Sequence, residues 1–338
     1  MKFGVLFMPA DPPAGANIGE RWREVLEAGE VAEEYGFDGF FLPEHHFQAS
    51  SFNSSPLVAL AVLAGRTKRL RVGTSVLLLP CYHPLKLAED TAQLDLLSNG
   101  RLILGVGLGS MPEESAPFGV PPGERVSRFE ETLAILRQAW TGGEIDFTGK
   151  HFSFSNLRVT PVPLQKPHPP IWMGGMSDAG VRRAGRMGLP WLTSLMPGLD
   201  SLLRWRAMYR EECARGGHQP KIVVMRDAWV GESAAEVERE WWSVARKEHG
   251  RFASQAPEWM KQLDPAVVHK DSLPFAEYRR DRLIAGTPDE VIPVLQKFAA
   301  VLPTEYVVLR FRLVGGPSHE ATLGAMRLFG REVIPALR

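Results

Sequence analysis

The feature that most constrains this chain is an eightfold alternation of short apolar runs with longer amphipathic runs along its 338 residues. The apolar runs predict buried strands, whereas apolar residues spaced three and four apart predict helices. The predicted strands are 3–9, 37–43, 70–80, 101–109, 170–175, 189–195, 221–231 and 305–316. The predicted helices are 18–35, 54–69, 84–100, 124–140, 177–187, 199–215, 233–248, 287–300 and 318–336.

Strands that alternate with helices form parallel sheets through right-handed crossovers, and eight such units close a (β/α)8 barrel. An open doubly wound sheet fits less well, because the glycine-rich turns follow strands four and five instead of strand one. We therefore predict an α/β fold, a TIM barrel, in one domain that covers residues 1–338. Two insertions are expected, a hairpin-like excursion at 142–169 and a segment at 249–285 in the seventh unit that could act as a lid.

Charge and cysteine content exclude several classes of function. Lys plus Arg (39) equal Asp plus Glu (39), so nothing favours nucleic acid or an anionic membrane as a partner. Cys81 and Cys213 are too few for a disulfide framework, which fits a reducing compartment. No apolar run approaches the roughly 20 residues that a membrane span needs, and no cleavage site follows the short apolar run at Met1. We expect a globular protein of the cytoplasm.

The catalytic groups of a (β/α)8 barrel lie at the carboxyl ends of its strands. Titratable side chains gather after strand two, where the sequence reads FLPEHHF, and His83 follows strand three. Bare backbone gathers after strands four and five, in GVGLG (105–109) and GGMSDAG (174–180). A buried strand has no use for three titratable groups in a row, so FLPEHHF indicates the rim of a pocket.

Several kinds of site fit these residues to different degrees. FLPEHHF offers metal-ligand atoms, but His45 and His46 point to opposite faces of a strand, so we predict no metal site. A GxSxG nucleophile motif is missing. GGMSDAG fits a phosphate held by backbone N–H groups at a helix start that Ser177 caps. For GVGLG, close packing in the mouth and close approach of a flat ring both explain the glycines.

The chain resembles the bacterial luciferase-like monooxygenases, above all the single-polypeptide FMN-using members such as the limonene monooxygenase-like proteins, in EHHF, LLLPCYHPLKLAEDTAQLDLLSNGRLILGVGLG, PIWMGGMSDAG and AGTPDEV. The resemblance extends from residue 2 to about residue 335 and is weakest over 249–285. It implies reduced FMN from a separate flavin reductase, reaction with O2 to a flavin C4a-hydroperoxide, and oxidation of a small apolar substrate.

Two other functions remain open within this resemblance. Relatives that use coenzyme F420 usually carry an Asp-His pair and a nearby tryptophan after strand two, so Glu44-His45 favours FMN, with F420 as the alternative cofactor. The superfamily also includes non-catalytic flavin-binding proteins. The 249–285 segment is shorter than the luciferase lid, so we do not expect light emission.

The resemblance also assigns roles to individual residues. His45 matches the catalytic histidine, Glu44 lies next to the isoalloxazine ring, and both are expected to face the barrel mouth, where Phe47 keeps the site dry. Further cofactor contacts are expected at Ser75, Val76, Gly107, Leu108, Gly174, Gly175, Met176, Ser177 and Ser194. The Ser75–Val76 bond matches a non-proline cis peptide that family members carry under the ring.

Charge and assembly complete these expectations. Bacterial luciferase has a phosphate-binding arginine where this chain has Leu108, so Arg125 or Arg128 is expected to meet that charge instead.

Family dimers pack the helices that follow strands two and three, here 55–66 and 84–97. Because these helices are apolar on more than one face, we expect a homodimer. The apolar positions concerned are Leu57, Leu60, Leu63, Leu87, Leu94 and Leu97.

Overall fold

The computed structural model describes residues 1–10, 17–48, 51–255 and 275–338. Its strands are β1 Lys2–Leu6, β2 Gly39–Leu42, β3 Arg71–Leu78, β4 Leu102–Gly107, β5 Ile145–Thr148, β6 Ser153–Leu157, β7 Ile171–Gly174, β8 Trp191–Leu192, β9 Ile222–Val230, β10 Leu283–Gly286 and β11 Thr304–Arg310. Eight of them pair in parallel in the order β9–β11–β1–β2–β3–β4–β7–β8, and β8 pairs back with β9. This closed ring confirms the predicted (β/α)8 barrel.

Helices surround the barrel. They are α1 Ile18–Glu34, α2 Pro56–Arg66, α3 Pro84–Leu97, α4 Pro112–Ser115, α5 Arg125–Ala139, α6 Asp178–Arg186, α7 Leu199–Arg215, α8 Ala234–Val237, α9 Ser243–Gln255, α10 Phe275–Arg282, α11 Pro288–Val301, α12 His319–Leu328 and α13 Ile334–Ala336. A π-helical segment, Glu238–Trp242, joins α8 to α9, and another, Phe329–Val333, joins α12 to α13. Within the described ranges, no helix is both long enough and apolar enough to cross a membrane.

Local side-chain chemistry fixes several helix ends. The Ser177 and Ser318 hydroxyls accept backbone N–H groups at the starts of α6 and α12. Thr287 and Glu290 form a capping box at the start of α11. Gly100, with φ of +74°, follows the end of α3 in a left-handed conformation that suits glycine. These polar and glycine signals explain why the sequence predicted these boundaries to within one to three residues.

The interior of the barrel is filled in large part by aromatic side chains. Phe41, Trp172 and Tyr306 contact one another with ring centroids 5.0 to 5.8 Å apart. Glycines on neighbouring strands make the room, because a Cβ at Gly4 would lie 2.6 Å from the Phe41 ring and one at Gly73 would lie 2.8 Å from it. The barrel is therefore a packed core, and a ligand can be admitted only at the carboxyl ends of the strands.

The two predicted insertions contain more regular structure than the sequence indicated. β5 and β6 pair as an antiparallel hairpin within the predicted excursion. The seventh-unit helix was predicted to end at residue 248, but α9 continues to Gln255, and β10 pairs in parallel with the end of β9. The lid expected over 249–285 falls largely on residues 256–274, which lie outside the described residues.

Candidate active site

Glu44 follows β2 and is buried, with 2% of its surface exposed. Its Oε2 accepts the Leu78 N–H at 2.6 Å, and its Oε1 accepts the Tyr82 hydroxyl at 2.8 Å. Burial, together with the Glu44 charge, raises the pKa of the Tyr82 hydroxyl well above its usual value, so Tyr82 remains a donor. The carboxylate of Glu44 thus ties β2 to β3, and the expectation that it faces the open mouth is wrong.

His45 is the accessible titratable side chain at this strand end, with 26% of the side chain exposed. Its Nδ1 lies 3.0 Å from Oε1 of Glu114, a buried residue on α4 directly after β4. The same oxygen accepts the His46 backbone N–H and the Gln48 amide, each at 3.0 Å. An oxygen that accepts from two N–H groups carries no proton itself. We therefore assign the hydrogen between Oε1 and His45 to Nδ1, which makes Nδ1 a third donor to this oxygen. Nε2 is then the ring nitrogen that can exchange a proton with a ligand.

His46 points away from His45, as the strand alternation predicted, and packs inside the protein. Its Nε2 lies 2.8 Å from Oε1 of Glu44, and only 8% of the residue is exposed. Glu44, His45, His46 and Glu114 therefore form one connected group, the histidine cluster, that joins β2, β3 and α4. Sequence reasoning missed Glu114, since an acid in the first turn of a helix also reads as an ordinary helix-start residue.

Phe47 follows His46 at this strand end. Its side chain is 72% exposed and contacts Phe118 on the rim, with ring centroids 5.7 Å apart. The backbone at Phe47 has φ of +59°, an uncommon value for an aromatic residue. The residues on both sides of it, His46 and Gln48, are bound to Glu114, and this holds the turn that exposes the ring. The ring thus lies at the rim, and the expectation that Phe47 excludes water stays a prediction.

Strands β3 and β4 form the next part of the mouth. The peptide bond between Ser75 and Val76 is cis, as the resemblance implied. A Cβ at Gly107 would lie 2.6 Å from the Val76 side chain, and one at Gly105 would collide with the Thr74 carbonyl. The glycines of GVGLG therefore let β4 pack closely against β3, which is the packing explanation that the sequence left open. Leu108, which follows them, is half-buried.

The turn at 174–177 lies between β7 and α6. The Gly175 N–H donates to the Leu192 carbonyl at 3.2 Å, and a Cβ on Gly175 would lie 3.2 Å from the backbone of α6. Gly175 is thus needed for packing, and its N–H is not free for a ligand. In the part of the chain that the structure describes, the N–H groups of Met176 and Ser177 have no hydrogen-bond partner, and both residues are half-buried. These two N–H groups are the donors that the turn can offer to an anion.

The two candidate arginines differ in their surroundings. Arg125 Nη1 donates to the Gly109 carbonyl at 2.8 Å, so its guanidinium lies at the end of β4. Arg128 forms an i,i+4 ion pair with Glu124 at 3.1 Å. Of the two, Arg125 is therefore the cation next to the mouth. Ser194, on the loop after β8, is half-buried, and its carbonyl accepts from Arg226 at 3.0 Å.

Cys81 and His83 have no direct part in this arrangement. Burial, with added repulsion from Glu44 and Glu114, raises the pKa of the Cys81 thiol to about 12, so it stays protonated and unreactive at neutral pH. His83 is exposed, and its ring contacts Phe152 of the hairpin with centroids 5.7 Å apart. Among the described residues, no group of three or more histidine, cysteine or acidic side chains could hold a metal ion.

A second set of charged side chains closes the opposite half of the mouth. Asp227 Oδ1 lies 2.5 Å from Arg310 Nε, and Asp227 Oδ2 lies 3.0 Å from Nη2 of the same guanidinium. His249 Nε2 lies 2.6 Å from Asp227 Oδ2, and its Nδ1 lies 2.5 Å from the Tyr278 hydroxyl. Arg310 Nη1 also reaches Glu248 at 3.4 Å. We call these five residues the arginine cluster; it fastens α9 and α10 to β9 and β11.

Asp227 and Arg310 form a buried, ionised pair at the centre of the arginine cluster. Burial alone would raise the pKa of Asp227, but Arg310 and His249 hold that pKa well below its usual range. Asp227 is fully buried and Arg310 nearly so. The sequence reasoning missed the arginine cluster. A signal was present, since Arg310 and Arg312 stand two apart in an otherwise apolar strand and so share one face.

Comparison with known proteins agrees with this geometry. The family model of the luciferase-like monooxygenases matches residues 1–305. The oxygenase component of the flavin-dependent trigonelline monooxygenase of Acinetobacter baylyi is 26% identical, over 93% of this chain and 89% of its own. The F420-dependent glucose-6-phosphate dehydrogenase of Microbacterium testaceum is 29% identical, over 94% of each chain.

A solved structure gives the same answer for the fold. The oxygenating constituent of 3,6-diketocamphane monooxygenase from the CAM plasmid of Pseudomonas putida, solved in complex with FMN, superimposes with a TM-score of 0.86. The alignment covers 100% of this chain and 99% of the other at 20% identity. At this identity the likeness bears on the barrel, and the function has to be argued from the site.

Proposed function

The chain belongs to the luciferase-like monooxygenase family and is an oxidoreductase, and we propose that it is the oxygenase component of a two-component system. In this proposal a separate flavin reductase supplies reduced FMN, and the protein uses O2 to oxidise a small apolar organic substrate. The observation that carries the proposal is the partly exposed His45, whose Nδ1 lies 3.0 Å from the buried Glu114 carboxylate. That pair places one orientated proton-transfer group at the mouth of a packed barrel.

The residues at the mouth fit FMN. We propose that its phosphate lies at the start of α6, where the N–H groups of Met176 and Ser177 are without partners among the described residues and the helix end favours an anion. The Ser194 hydroxyl and the Arg125 guanidinium would complete the phosphate site. Of the other contacts expected from the sequence, Ser75, Val76, Gly107, Leu108 and Gly174 would line the ring and ribityl chain, whereas the buried Glu44 would support the strand end beneath them. Gly175 supports the turn from behind.

His45 is the residue to which we assign proton transfer. Reduced FMN, when bound, supplies the electrons that activate O2. With Nδ1 donating to Glu114, the neutral imidazole presents Nε2 as an acceptor, and the protonated ring presents it as a donor. Glu114 holds the ring in one orientation in both states. Glu44 and His46 support the strand end from below, through their own hydrogen bond of 2.8 Å.

Two titrations test this proposal. The protein is first titrated with oxidised FMN and, in parallel, with coenzyme F420, and binding is followed by quenching of ligand fluorescence. Photoreduced FMN is then mixed with the protein and O2, and the return of oxidised flavin is followed by stopped-flow absorbance with and without candidate terpenes, aldehydes and alkanes. We expect tight FMN binding, delayed flavin reoxidation, and a monooxygenated product with at least one candidate class.

Other outcomes have distinct meanings. Tight F420 binding with hydride transfer from F420H2 would replace the proposal by an F420-dependent reaction, which the relative from Microbacterium testaceum makes a concrete alternative. Tight binding of oxidised FMN, with no delay in reoxidation and no product, would identify a flavin-binding protein without catalysis. The reductase as a partner is supported by the relative from Acinetobacter baylyi, which is named an oxygenase component.

We also propose that two copies pair through α2 and α3. The leucines named from the sequence are mostly core residues, since Leu60, Leu63, Leu87 and Leu94 are buried. Of the named leucines Leu97 is 66% exposed, and two valines that were not named, Val58 and Val62, are 69% and 49% exposed on α2. An apolar cavity of about 390 Å³ beside α2 could receive side chains of the second copy. A dimer in analytical ultracentrifugation that Val58→Asp separates, and that Leu164→Asp at another exposed site leaves intact, is the expected result.

A further inference from the structure

The loop between β8 and α7, residues 193–198, is held by two buried arginines. Arg226 Nη1 donates to the Ser194 carbonyl at 3.0 Å, and Arg282 Nη1 donates to the Met196 carbonyl at 2.9 Å. Arg226 is fully buried, and Arg282 is 8% exposed. Removing a guanidinium from water is costly, so two such groups directed at one short loop call for a physical reason.

Each guanidinium is itself fixed by its surroundings. Arg226 lies over the Phe298 ring, 5.0 Å from its centroid, and donates a second hydrogen bond to the Met225 carbonyl at 3.0 Å. Arg282 lies over the Tyr278 ring at 5.7 Å. A Cβ at Gly198 would lie 2.8 Å from Arg282 Nη2, so glycine leaves the room that this guanidinium occupies. The arginines thus form a rigid support to which the loop carbonyls are bound.

The orientation of these carbonyls determines what the loop offers to a ligand. In a trans peptide the C=O and the following N–H point in opposite directions. Because the Ser194 carbonyl points to Arg226, the Leu195 N–H points away from it, and within the described ranges that N–H has no acceptor. Thr193 fixes the start of the loop, since its N–H donates to Val223 and its hydroxyl accepts the Met225 N–H at 2.9 Å. The loop therefore presents the Leu195 N–H as a donor, and the neighbouring Ser194 is half-buried, with a hydroxyl that can also donate.

We propose that Arg226 and Arg282 are positioning residues for the phosphate of a flavin mononucleotide. They act through the loop: they hold its carbonyls, so that the Leu195 N–H faces the anion beside the Ser194 hydroxyl. This rests on the proposed function only in that the bound anion is the FMN phosphate. It adds two residues that lie outside the direct cofactor contacts, and it explains why two buried cations serve one loop.

The test compares two ligands that differ only in the phosphate. Wild-type protein, Arg282→Met and Arg226→Lys are each titrated with oxidised FMN and with riboflavin, and binding is followed by flavin fluorescence. We expect Arg282→Met to weaken FMN binding at least tenfold, because the loop loses the charge-assisted hydrogen bond that holds it, and to leave riboflavin binding within about twofold. The control is Arg280→Met, which removes an exposed arginine from the same helix and should change neither affinity.

A second variant keeps both arginines and tests the proposal in case Arg282→Met does not fold. Gly198→Ala retains both arginines but displaces the Arg282 guanidinium, and it should weaken FMN binding in the same direction by a smaller factor. Equal losses for FMN and riboflavin, or an unchanged FMN affinity in both Arg282→Met and Gly198→Ala, would overturn the proposal. Equal affinity of the wild-type protein for the two flavins would instead show that the phosphate lies elsewhere, which is a failure of the proposed function.

Discussion

The two halves of the barrel mouth contain similar residue types but use them differently. The histidine cluster, at β2 to β4, joins carboxylates to imidazoles, and His45 is 26% exposed at its edge. The arginine cluster, at β9 and β11, joins carboxylates to a guanidinium and an imidazole, and its Asp227–His249 pair is almost fully buried. Imidazoles gain and lose protons near neutral pH, whereas a guanidinium does not. One half is therefore suited to proton transfer and the other to a fixed structural charge.

The largest expected effect lies in the open half. His45→Ala should lower the rate of product formation by about 10²–10⁴-fold, the usual contribution of a general acid–base group. FMN binding should remain within about threefold, because the proposed phosphate contacts lie after β7 and β8. Flavin reoxidation should continue, with H2O2 released in place of product. H2O2 and product formed per reduced FMN, measured with a substrate from the screen, are the quantities to compare.

His46→Ala is the matched control for this prediction. His46 is buried and bonded to Glu44, so its loss should lower the free energy of unfolding by about 1–3 kcal/mol and affect coupling much less. Full coupling in His45→Ala, or equal loss of coupling in both variants, would mean that proton transfer is assigned to the wrong residue.

The next effect lies in the closed half and concerns stability. Asp227→Asn removes the closer of the two carboxylates that pair with buried Arg310 and leaves only Glu248, 3.4 Å away, and breaking a buried ion pair in this way costs about 3–5 kcal/mol. Urea unfolding of the wild type and the variant measures the loss. Asp178→Asn removes one partner of a surface ion pair with Arg204 and should cost less than about 1 kcal/mol. Similar losses in the two variants would contradict the distinction between the two halves of the mouth.

The pH dependence of that loss has a definite sign. The pKa of Asp227 is lower in the folded protein than in the unfolded chain, where it is about 3.9. The stabilisation is therefore fully present above about pH 4 and is lost as the pH falls through the folded value. The difference in unfolding free energy between the wild type and Asp227→Asn should shrink as the pH is lowered below about 4. A difference that grows in acid would contradict the low pKa.

The sequence predicted the open half better than the closed half, for a physical reason. FLPEHHF stands directly after a strand, so local pattern alone placed His45 at the mouth. The partner that orientates it, Glu114, is 69 residues away, and nothing local tells whether Glu113 or Glu114 turns inward. The arginine cluster depends on pairs that are 22 to 83 residues apart, and only the barrel geometry brings them together.

The fold, like the site, was predictable where the signal in the sequence is local. The hydrophobic pattern identified all eight barrel strands, because each contains a short apolar run that is separated from the next by an amphipathic helical run. β10 was not predicted, because LIAG is only four residues long and directly follows a charged helix without a turn signal between them. Apolar residues on more than one face of α2 predicted that the helix packs against a second copy as well as against the core. The spacing did not show which face the core would cover, so the exposed Val58 and Val62 were not named.

A smaller effect is expected when the orientating carboxylate loses only its charge. Glu114→Gln keeps an oxygen that can accept from His45, His46 and Gln48, so the fold should be retained. A neutral hydrogen bond is weaker than a charge-assisted one by about 1–2 kcal/mol, which predicts roughly a tenfold loss of coupling. The measurement is the same H2O2-to-product ratio. A loss as large as that of His45→Ala would indicate that Glu114 itself transfers the proton.

The smallest effect is predicted for Phe47. It tests whether an exposed ring at the rim contributes to stability or to coupling. The ring is 72% exposed, and the backbone is left-handed at φ of +59°, a conformation that asparagine tolerates better than phenylalanine. Phe47→Asn should therefore change the free energy of unfolding by less than about 0.5 kcal/mol and coupling by less than twofold. Phe41→Ala, a fully buried ring six residues earlier, should cost about 3–5 kcal/mol. A marked rise in H2O2 release from Phe47→Asn, with stability unchanged, would mean that the exposed ring does shield the site from water.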